Sequence, residues 1–407
     1  MPDTLLTDDE LDDLCDGLRS FLLAEVAPRQ QRIPAEHHQV FDADGRFHQW
    51  ILDLWTEVRE ASAAAGYYTA LAPAAVGGGG LGFEALYRLW ETVFETCGAQ
   101  LWLGHQALGH WSRGPSHLYL EVAEELREAV LPELASGTKT TCFAMSEPDA
   151  GSDIWRTRTN AKRVDGGWLL NGTKQWVTNS PYAAWSLVFA VSDPAAFAAR
   201  KGGMTGFLVP ADAPGFRVDS VIALFGHSGG DEGILSYDDV FVPDVQVIGA
   251  PGDGLRLAMS GISMGRMYNS ARAMGLARWA LAKAVAYAED RETFGKPIIE
   301  NQAISFPLAD AAMEIHAGRL MGLDAARALD RGEDVRTRVS MCKAYSIEVA
   351  SRTIDHAVQV HGAMGFTNEV HLAEAWQQMR RTRVADGSSE MMRRAIVKHL
   401  RTKGVRW

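Results

Sequence analysis

The segment Cys142–Asp153 combines residue types that suit a ligand-binding loop. A short β-prone run ends at Glu147 and Pro148, where the proline ring fixes its own φ and disfavours helix at the residue before it. The Ala-Gly-Ser sequence at 150–152 then permits a tight turn whose N–H groups and hydroxyl can face a phosphate or a ring carbonyl. From these residues alone, an ordinary polar turn after a strand is the simpler interpretation.

Short strands separated by Pro, Gly and Asp surround this loop and predict a β domain over residues 139–249. The Asn171-Gly172 pair, inside the β-prone stretch 164–178, predicts a hairpin turn between two short strands. Three further strands are predicted at Ser186–Val191, Thr205–Val209 and Tyr237–Val242. The expected architecture of this middle domain is a small β-barrel or sandwich.

Helical periodicity dominates on both sides of the β domain. In the N-terminal domain, 1–138, Thr7 and Glu10 have the spacing of a capping box, which predicts that a helix begins there. Further helical patterns cover 47–65, 83–96 and 118–136. In the C-terminal domain, 250–407, patterns at 255–291, 302–331, 336–362 and 387–402 predict an antiparallel four-helix bundle. An α–β–α order without alternating β and α units argues against a Rossmann domain.

The composition is typical of a soluble globular protein. With 407 residues, the chain is long enough for two or three domains. The net charge of −11 argues against a general nucleic-acid-binding role. No run of eighteen apolar residues is present, so no membrane span is expected. Because the acidic N-terminus lacks the pattern of a signal or transit peptide, the expected compartment is the cytoplasm.

The cysteines give no indication of a metal site. They form no C-x-x-C pair and no cluster with histidine, and they are Cys15, Cys97, Cys142 and Cys342. Free, scattered thiols are typical of a protein from a reducing compartment.

Five segments resemble, in the same order, signature segments of the FAD-dependent acyl-CoA dehydrogenase family. They are Cys142–Asp153, 176–179, 291–302, 359–366 and 386–390. Each segment is weak evidence alone, but five in order within an α–β–α frame make coincidence a poor explanation. The resemblance covers about residues 60–402. It implies an α+β protein with an N-terminal helical domain, a middle β domain and a C-terminal four-helix bundle.

The resemblance implies FAD as the cofactor, which carries the redox step. An indole at Trp176 can cover one face of the flavin ring, and the Thr178 hydroxyl can hydrogen-bond near N5. Arg291 would pair with the pyrophosphate. The implied cofactor-binding residues are Phe143, Met145, Ser146, Gly151, Ser152, Trp176, Val177, Thr178, Arg291, Thr293, Phe294, Gln302, Gln359, Val360, Gly362, Ala363, Ser388 and Glu390. Ala363 stands where the family usually has a second glycine.

The same resemblance implies partners. In the family, the segments that begin at Arg291 and Gln359 contact FAD held mainly by a neighbouring subunit, so a homodimer or homotetramer is expected. The implied substrate is an acyl-CoA, and the implied electron acceptor is an electron-transfer flavoprotein. The implied substrate-binding residues are Ser152, Arg266 and Gly387. Residues 226–232 lack the arginine of the family's Gly-x-Arg-x-Ser pattern, so no CoA contact is carried over there.

Asp386 matches the family's catalytic acid, which is usually a glutamate. Dehydrogenation across Cα–Cβ of a thioester needs a carboxylate base and hydrogen bonds to the developing enolate oxygen. In the family these donors are a flavin hydroxyl and the N–H of the acid itself. Another base position used by some members is Gly265 here, so it offers no substitute.

Aspartate at this position leaves three hypotheses open. The favoured one is a working Asp386 base, because a branch of the family that acts on medium- to long-chain and 4-hydroxyacyl-CoA has a similar Ala-Asp-Gly pattern. The second is an oxidase of the nitroalkane oxidase or acyl-CoA oxidase type, and the third is an inactive site. Four bulky residues, Trp102, His105, His110 and Trp111, lie in the segment that shapes the family's acyl pocket. Core packing is the favoured role for them, and a short, branched or oxygenated acyl group is the alternative.

Overall fold

A computed structural model describes residues 2–34, 39–224 and 230–406. The chain forms two compact units. One comprises Met1–Ala35, Leu81–Ala107 and Gly265–Trp407, and the other comprises Glu36–Gly80 and Leu108–Met264. In chain order, helices precede and follow a β segment, which confirms the predicted α–β–α arrangement.

The N-terminal helices are α1 Asp8–Phe21, α2 Ala27–Gln30, α3 Gln49–Ala64, α4 Phe83–Cys97 and α5 Glu124–Ala135. The predicted capping box is confirmed. The Thr7 hydroxyl oxygen accepts a hydrogen bond from the Glu10 N–H at 3.3 Å, and the Glu10 carboxylate accepts one from the Thr7 N–H at 2.8 Å. The predicted helix at 118–136 is divided, because a 3₁₀ turn at His117–Glu121 precedes α5.

The β segment contains β1 Thr141–Ala144, β2 Asn160–Val164, β3 Gly167–Thr178, β4 Trp185–Val191, β5 Met204–Pro210, β6 Phe216–Val221, β7 Glu232–Pro243 and β8 Val247–Ile248, with α6 Pro194–Ala198 between β4 and β5. They form one mixed sheet in the order β6-β7-β3-β2-β4-β5-β8, and β1 pairs with β4 in parallel. Alternation along β4 buries both faces. Leu187 and Phe189 pack in the cluster that contains Trp111, whereas Val188 packs with Phe207.

The predicted hairpin turn at Asn171-Gly172 is wrong. β3 continues through both residues, and the turn between β2 and β3 lies at 165–166. At this pair the register between β3 and β7 shifts, and β3 continues as one strand. The Asn171 side chain donates to the Asp239 carboxylate at 2.8 Å and accepts from the Asp239 N–H at 3.0 Å, so it bridges the strands instead of turning the chain.

The C-terminal helices are α7 Gly254–Asp290, α8 Gln302–Asp330, α9 Arg336–His361, α10 Leu372–Thr382 and α11 Ser389–Lys403, with the hairpin β9 Glu292–Thr293 and β10 Lys296–Pro297 between α7 and α8. Four of these helices match the predicted patterns, and α10 was not predicted. Small residues let helices approach closely, and one stripe of α7 is fully buried: Ala273, Ala277, Ala280, Ala284 and Ala288. None of the described helices is long and apolar enough to cross a membrane.

Candidate functional site

The loop after β1 is held by a buried ion pair. Lys174, a β3 residue with a fully buried side chain, lies with its Nζ 2.9 Å from Oε1 of Glu147 and donates to the carbonyl of Met145 at 3.0 Å. Burial lowers the pKa of Lys174 to about 8. Burial alone would raise the pKa of Glu147, but Lys174 and hydrogen bonds outweigh it and the net pKa is lowered.

The Glu147 carboxylate also fixes the far end of the loop. It accepts hydrogen bonds from the N–H groups of Arg158 at 2.7 Å and Thr159 at 3.0 Å. The residues between these anchors include Gly151 and Ser152, which are exposed. The arrangement is a loop anchored at both ends by Glu147, with an exposed turn at Gly151 and Ser152.

Trp176 leaves the regular geometry of β3. Its φ is 62°, in the left-handed region that bulky residues rarely adopt, and the pairing with β7 shifts register between Gln175 and Val177. The result is that the Trp176 indole is 54% exposed while Val177 is buried in the core. A flat aromatic surface presented at a strained strand position suits stacking on a planar ring.

Thr178 lies two residues further along and is half-buried. Its hydroxyl donates to the Glu232 carboxylate, at 2.9 and 3.0 Å from the two oxygens. The next residue, Asn179, donates to the carbonyl of Thr141 at 2.8 Å and so ties the end of β3 to β1. Glu232 was not predicted as a site residue.

The remaining predicted residues of this unit are mostly packed. Phe143 contacts Trp111 edge-to-face with ring centroids 4.8 Å apart, and Met145 is buried in the same cluster. The Ser146 carbonyl accepts from the Gln175 N–H at 2.9 Å. Trp111 is therefore a core residue, as its favoured interpretation predicted. Residues 226–229 of the segment that lacks the family arginine lie outside the described residues.

In the other unit, Asp386 lies on the tight turn between α10 and α11. Its φ is 52° and that of Gly387 is 94°, so both residues are in the left-handed region. A Cβ on Gly387 would lie 3.0 Å from Cε of Met392 and 3.4 Å from Nη2 of Arg266, which explains the glycine. One carboxylate oxygen of Asp386 accepts a hydrogen bond from Nδ2 of Asn269 at 2.8 Å.

Two cationic side chains hold the backbone of this turn. Nζ of Lys343 donates to the Ala385 carbonyl at 2.6 Å and to the Gly387 carbonyl. Nε of Arg266 donates to the Asp386 carbonyl at 3.0 Å. Three consecutive carbonyls therefore each accept a hydrogen bond from a charged donor, which is the stronger class of hydrogen bond.

The surroundings of Asp386 adjust its acidity. Burial raises the pKa of its carboxyl group above the ordinary aspartate value, and this outweighs the opposing effects of Lys343, Arg266 and the Asn269 hydrogen bond. Burial also lowers the pKa of Lys343 to about 8. A carboxylate with a raised pKa is a better general base than an ordinary aspartate.

The two predicted residues after the turn have visible structural roles. The Ser388 hydroxyl caps α11 by accepting from the Met391 N–H at 3.3 Å. Glu390 is exposed in the first turn of α11, where a negative charge is favoured by the helix dipole.

In the predicted segment 291–302, Gln302 begins α8, and residues 292–297 form an exposed hairpin. Phe294 and Gly295 make its two-residue turn with φ values of 54° and 80°, and the Phe294 side chain is fully exposed. The other residues of this unit that were predicted to bind the cofactor are also exposed or half-buried: Arg291, Thr293, Gln302, Gln359, Val360, Gly362 and Ala363. His361, which lies between Val360 and Gly362 in the sequence, is buried and stacks on Tyr287.

Sequence reasoning missed Asn269, Lys343, Lys174 and Glu232. A signal existed for Lys343, because it occupies a core-facing register of α9 between Val339 and Ile347, which are both buried. A lysine in such a position needs a partner. No comparable pattern distinguished Glu232 or Asn269.

Comparison with known proteins identifies the family. Residues 142–240 match the model of the acyl-CoA dehydrogenase middle domain, and residues 252–401 match that of its C-terminal domain. The human mitochondrial short-chain specific acyl-CoA dehydrogenase is 33% identical over 333 residues, which are 81% of this chain and 78% of that protein.

Two solved structures show the same architecture. A putative acyl-CoA dehydrogenase from Mycobacterium abscessus superimposes with a TM-score of 0.85 at 27% identity, covering 98% of this chain and 99% of that one. Butyryl-CoA dehydrogenase from Megasphaera elsdenii gives 0.79 at 26% identity, with 98% and 99% covered. The open turn at Gly151 and the exposed Trp176 fit a flavin, and the Thr178 hydroxyl, whose proton is donated to Glu232, keeps lone pairs that can accept a hydrogen bond from it. The chain therefore belongs to the acyl-CoA dehydrogenase family and is an FAD-dependent oxidoreductase.

Proposed function

We propose that the protein oxidises an acyl-CoA thioester to the 2-enoyl-CoA, with the Asp386 carboxylate as the base that removes the α-proton. The proposal rests on the environment of the Asp386 side chain and backbone. Its carboxylate has a raised pKa, it is oriented by Asn269, and its backbone is held by two cationic side chains. These features support a working base and argue against an inactive site.

FAD, when bound, supplies the hydride acceptor for the β-hydrogen. The residues that would hold it include the turn at Gly151 and Ser152, the Trp176 indole and the Thr178 hydroxyl. Ser152 and Gly387 are proposed to contact the acyl-CoA. Because Nε of Arg266 is engaged with the Asp386 carbonyl, we assign this arginine primarily to the turn and not to the CoA chain.

Anaerobic mixing of the FAD-loaded protein with butyryl-, octanoyl- and 4-hydroxyacyl-CoA tests the proposal. Loss of the flavin absorption with at least one thioester is expected. If no thioester reduces the flavin, the proposed function is wrong. The aspartate favours one second candidate, an oxidase of the nitroalkane oxidase or acyl-CoA oxidase type. Peroxide formed at the rate of substrate consumption, in air and without an added acceptor, would identify it.

We propose that the protein is a homodimer or homotetramer and that it passes electrons to an electron-transfer flavoprotein. An apolar stripe on α8 supports self-association. Phe306, Met313 and Leu320 are spaced by seven residues, so they lie on one helix face, and they are 58%, 64% and 51% exposed. We place the protein in the cytoplasm, because its four cysteines are free and buried.

Charging the α8 stripe is expected to break the oligomer. The double variant Met313→Glu/Leu320→Glu should elute with monomer mass in size-exclusion chromatography with light scattering, because burying two carboxylates in an apolar interface is costly. FAD content should fall in parallel. The matched control is Leu5→Glu, which charges an exposed apolar residue outside α8. An oligomer of unchanged mass would show that the stripe is not the interface, and an active, flavin-loaded monomer would contradict the oligomer proposal.

A further inference from the structure

Lys343 is a buried lysine whose ammonium group donates hydrogen bonds to backbone carbonyls. It is 1% exposed on α9, and its Nζ donates to the carbonyls of Ala385 and Gly387, the residues on either side of Asp386. Burying an ammonium group is costly, and the lowered pKa of Lys343 reflects that cost. A chain that merely needed packing at this position would be better served by an apolar side chain.

The planarity of the peptide bond means that a hydrogen bond to a carbonyl also sets the direction of the N–H that follows it. The described chain contains no cis peptide bond, and in a planar trans peptide the C=O and the following N–H point in opposite directions. The Ala385 carbonyl points to Lys343, so the Asp386 N–H points away from Lys343. In the same way, the Asp386 carbonyl points to Arg266, so the Gly387 N–H points away from Arg266.

The positive φ of Asp386 makes this anchoring necessary. A non-glycine residue in the left-handed region is strained and persists where its surroundings hold it. Without Lys343, the peptide between Ala385 and Asp386 could rotate, and both the N–H and the carboxylate would change direction.

We propose that Lys343 is a positioning residue for the reaction: by holding the carbonyls on both sides of Asp386 it fixes the carboxylate over the α-carbon and aims the Asp386 N–H at the thioester oxygen. The inference rests on the proposed role of Asp386 as the base. Lys343 itself touches no reacting atom. Its positive charge has a second effect, since it favours the ionised form of Asp386.

The test compares variants of the full-length, FAD-loaded protein. Lys343→Met removes the donor and the charge at similar volume, Lys343→Gln keeps a donor without the charge, and Lys343→Arg keeps both. Lys398→Met, an exposed lysine of α11, is the matched control. FAD content and thermal midpoint are measured first, and then kcat and KM from pH 5 to 9 with the thioester that reduces the wild-type flavin fastest.

For Lys343→Met we expect kcat to fall about a hundredfold with KM within threefold, because a misaligned base and oxyanion donor affect the transition state more than binding. The acid limb of the kcat profile should move to higher pH in Lys343→Met and Lys343→Gln, because the charge that lowers the Asp386 pKa is gone. It should stay in place in Lys343→Arg and Lys398→Met. If Lys343→Met does not fold or loses FAD, the Gln and Arg variants carry the comparison.

Two results would overturn the inference. One is a kcat within threefold of wild type in Lys343→Met. The other is a fall in kcat with the acid limb unmoved in every folded variant, which would reveal a purely structural lysine. These results can be distinguished from failure of the proposed function, in which no thioester would reduce the flavin of the wild-type protein.

Discussion

Replacing Asp386 by asparagine is expected to slow flavin reduction by an acyl-CoA by on the order of 10³–10⁴-fold while FAD stays bound. Asparagine preserves the shape of the side chain and can keep a hydrogen bond with Asn269. It cannot accept the α-proton as a base, so the loss isolates proton abstraction from positioning. Rapid-mixing absorbance of the flavin at saturating acyl-CoA measures the effect directly.

The pH dependence of flavin reduction in the wild-type protein tests the same role of the Asp386 carboxylate. As the proposed base, Asp386 has to be ionised, and its pKa is raised, so we expect the rate to fall as pH decreases, with a midpoint above the ordinary aspartate value. The control for the substitution is Asp355→Asn, which changes an exposed aspartate of α9. A variant at Asp386 that keeps more than a tenth of the wild-type rate would refute its role as the base.

Replacing Lys174 by methionine is expected to destabilise the protein by about 3–5 kcal/mol, because Glu147 would remain buried without its partner. The loop after β1 should loosen, since Glu147 also accepts the N–H groups of Arg158 and Thr159. We therefore expect FAD to be lost during gel filtration as well. Urea denaturation and the ratio of flavin to protein absorbance measure the two effects.

The controls separate the ion pair from a general effect of losing a lysine. Lys162→Met, on the exposed side of β2, should leave stability and flavin content unchanged. The double variant Lys174→Met/Glu147→Gln should recover part of the lost stability, because it removes the unpaired charge. Equal stability of Lys174→Met and wild type would contradict the importance of the pair.

Local patterns were sufficient to predict much of the fold. The capping box at Thr7 and the helical periods of α7, α8 and α9 depend on residues within a few positions of each other, and these helices lie close to their predicted limits. Local signals misled at Asn171, where a turn-forming pair sits inside a long strand, because Asp239 on the neighbouring strand supplies the hydrogen bonds that a turn would otherwise provide.

The site was predictable only in part, for a related reason. The segments around Asp386 and Trp176 were found by family resemblance. Their supports were not found, because Lys343 lies 42 residues from Ala385 and Glu232 lies 54 residues from Thr178 in the sequence. Contacts of this kind are created by packing of separate elements, and only the fold brings them together.

The anchored turn at Asp386 also bears on how this site can evolve. Aspartate is one methylene shorter than glutamate, roughly 1.5 Å of reach, and the hydrogen bonds of Lys343 and Arg266 to three consecutive carbonyls oppose a backbone shift that would recover it. If Asp386 is the base, as proposed, the difference has to be met where the acyl chain is held. Residue 386 is therefore expected to be epistatic with the residues that hold the acyl chain, so that an exchange between aspartate and glutamate is accessible only through a coordinated series of substitutions.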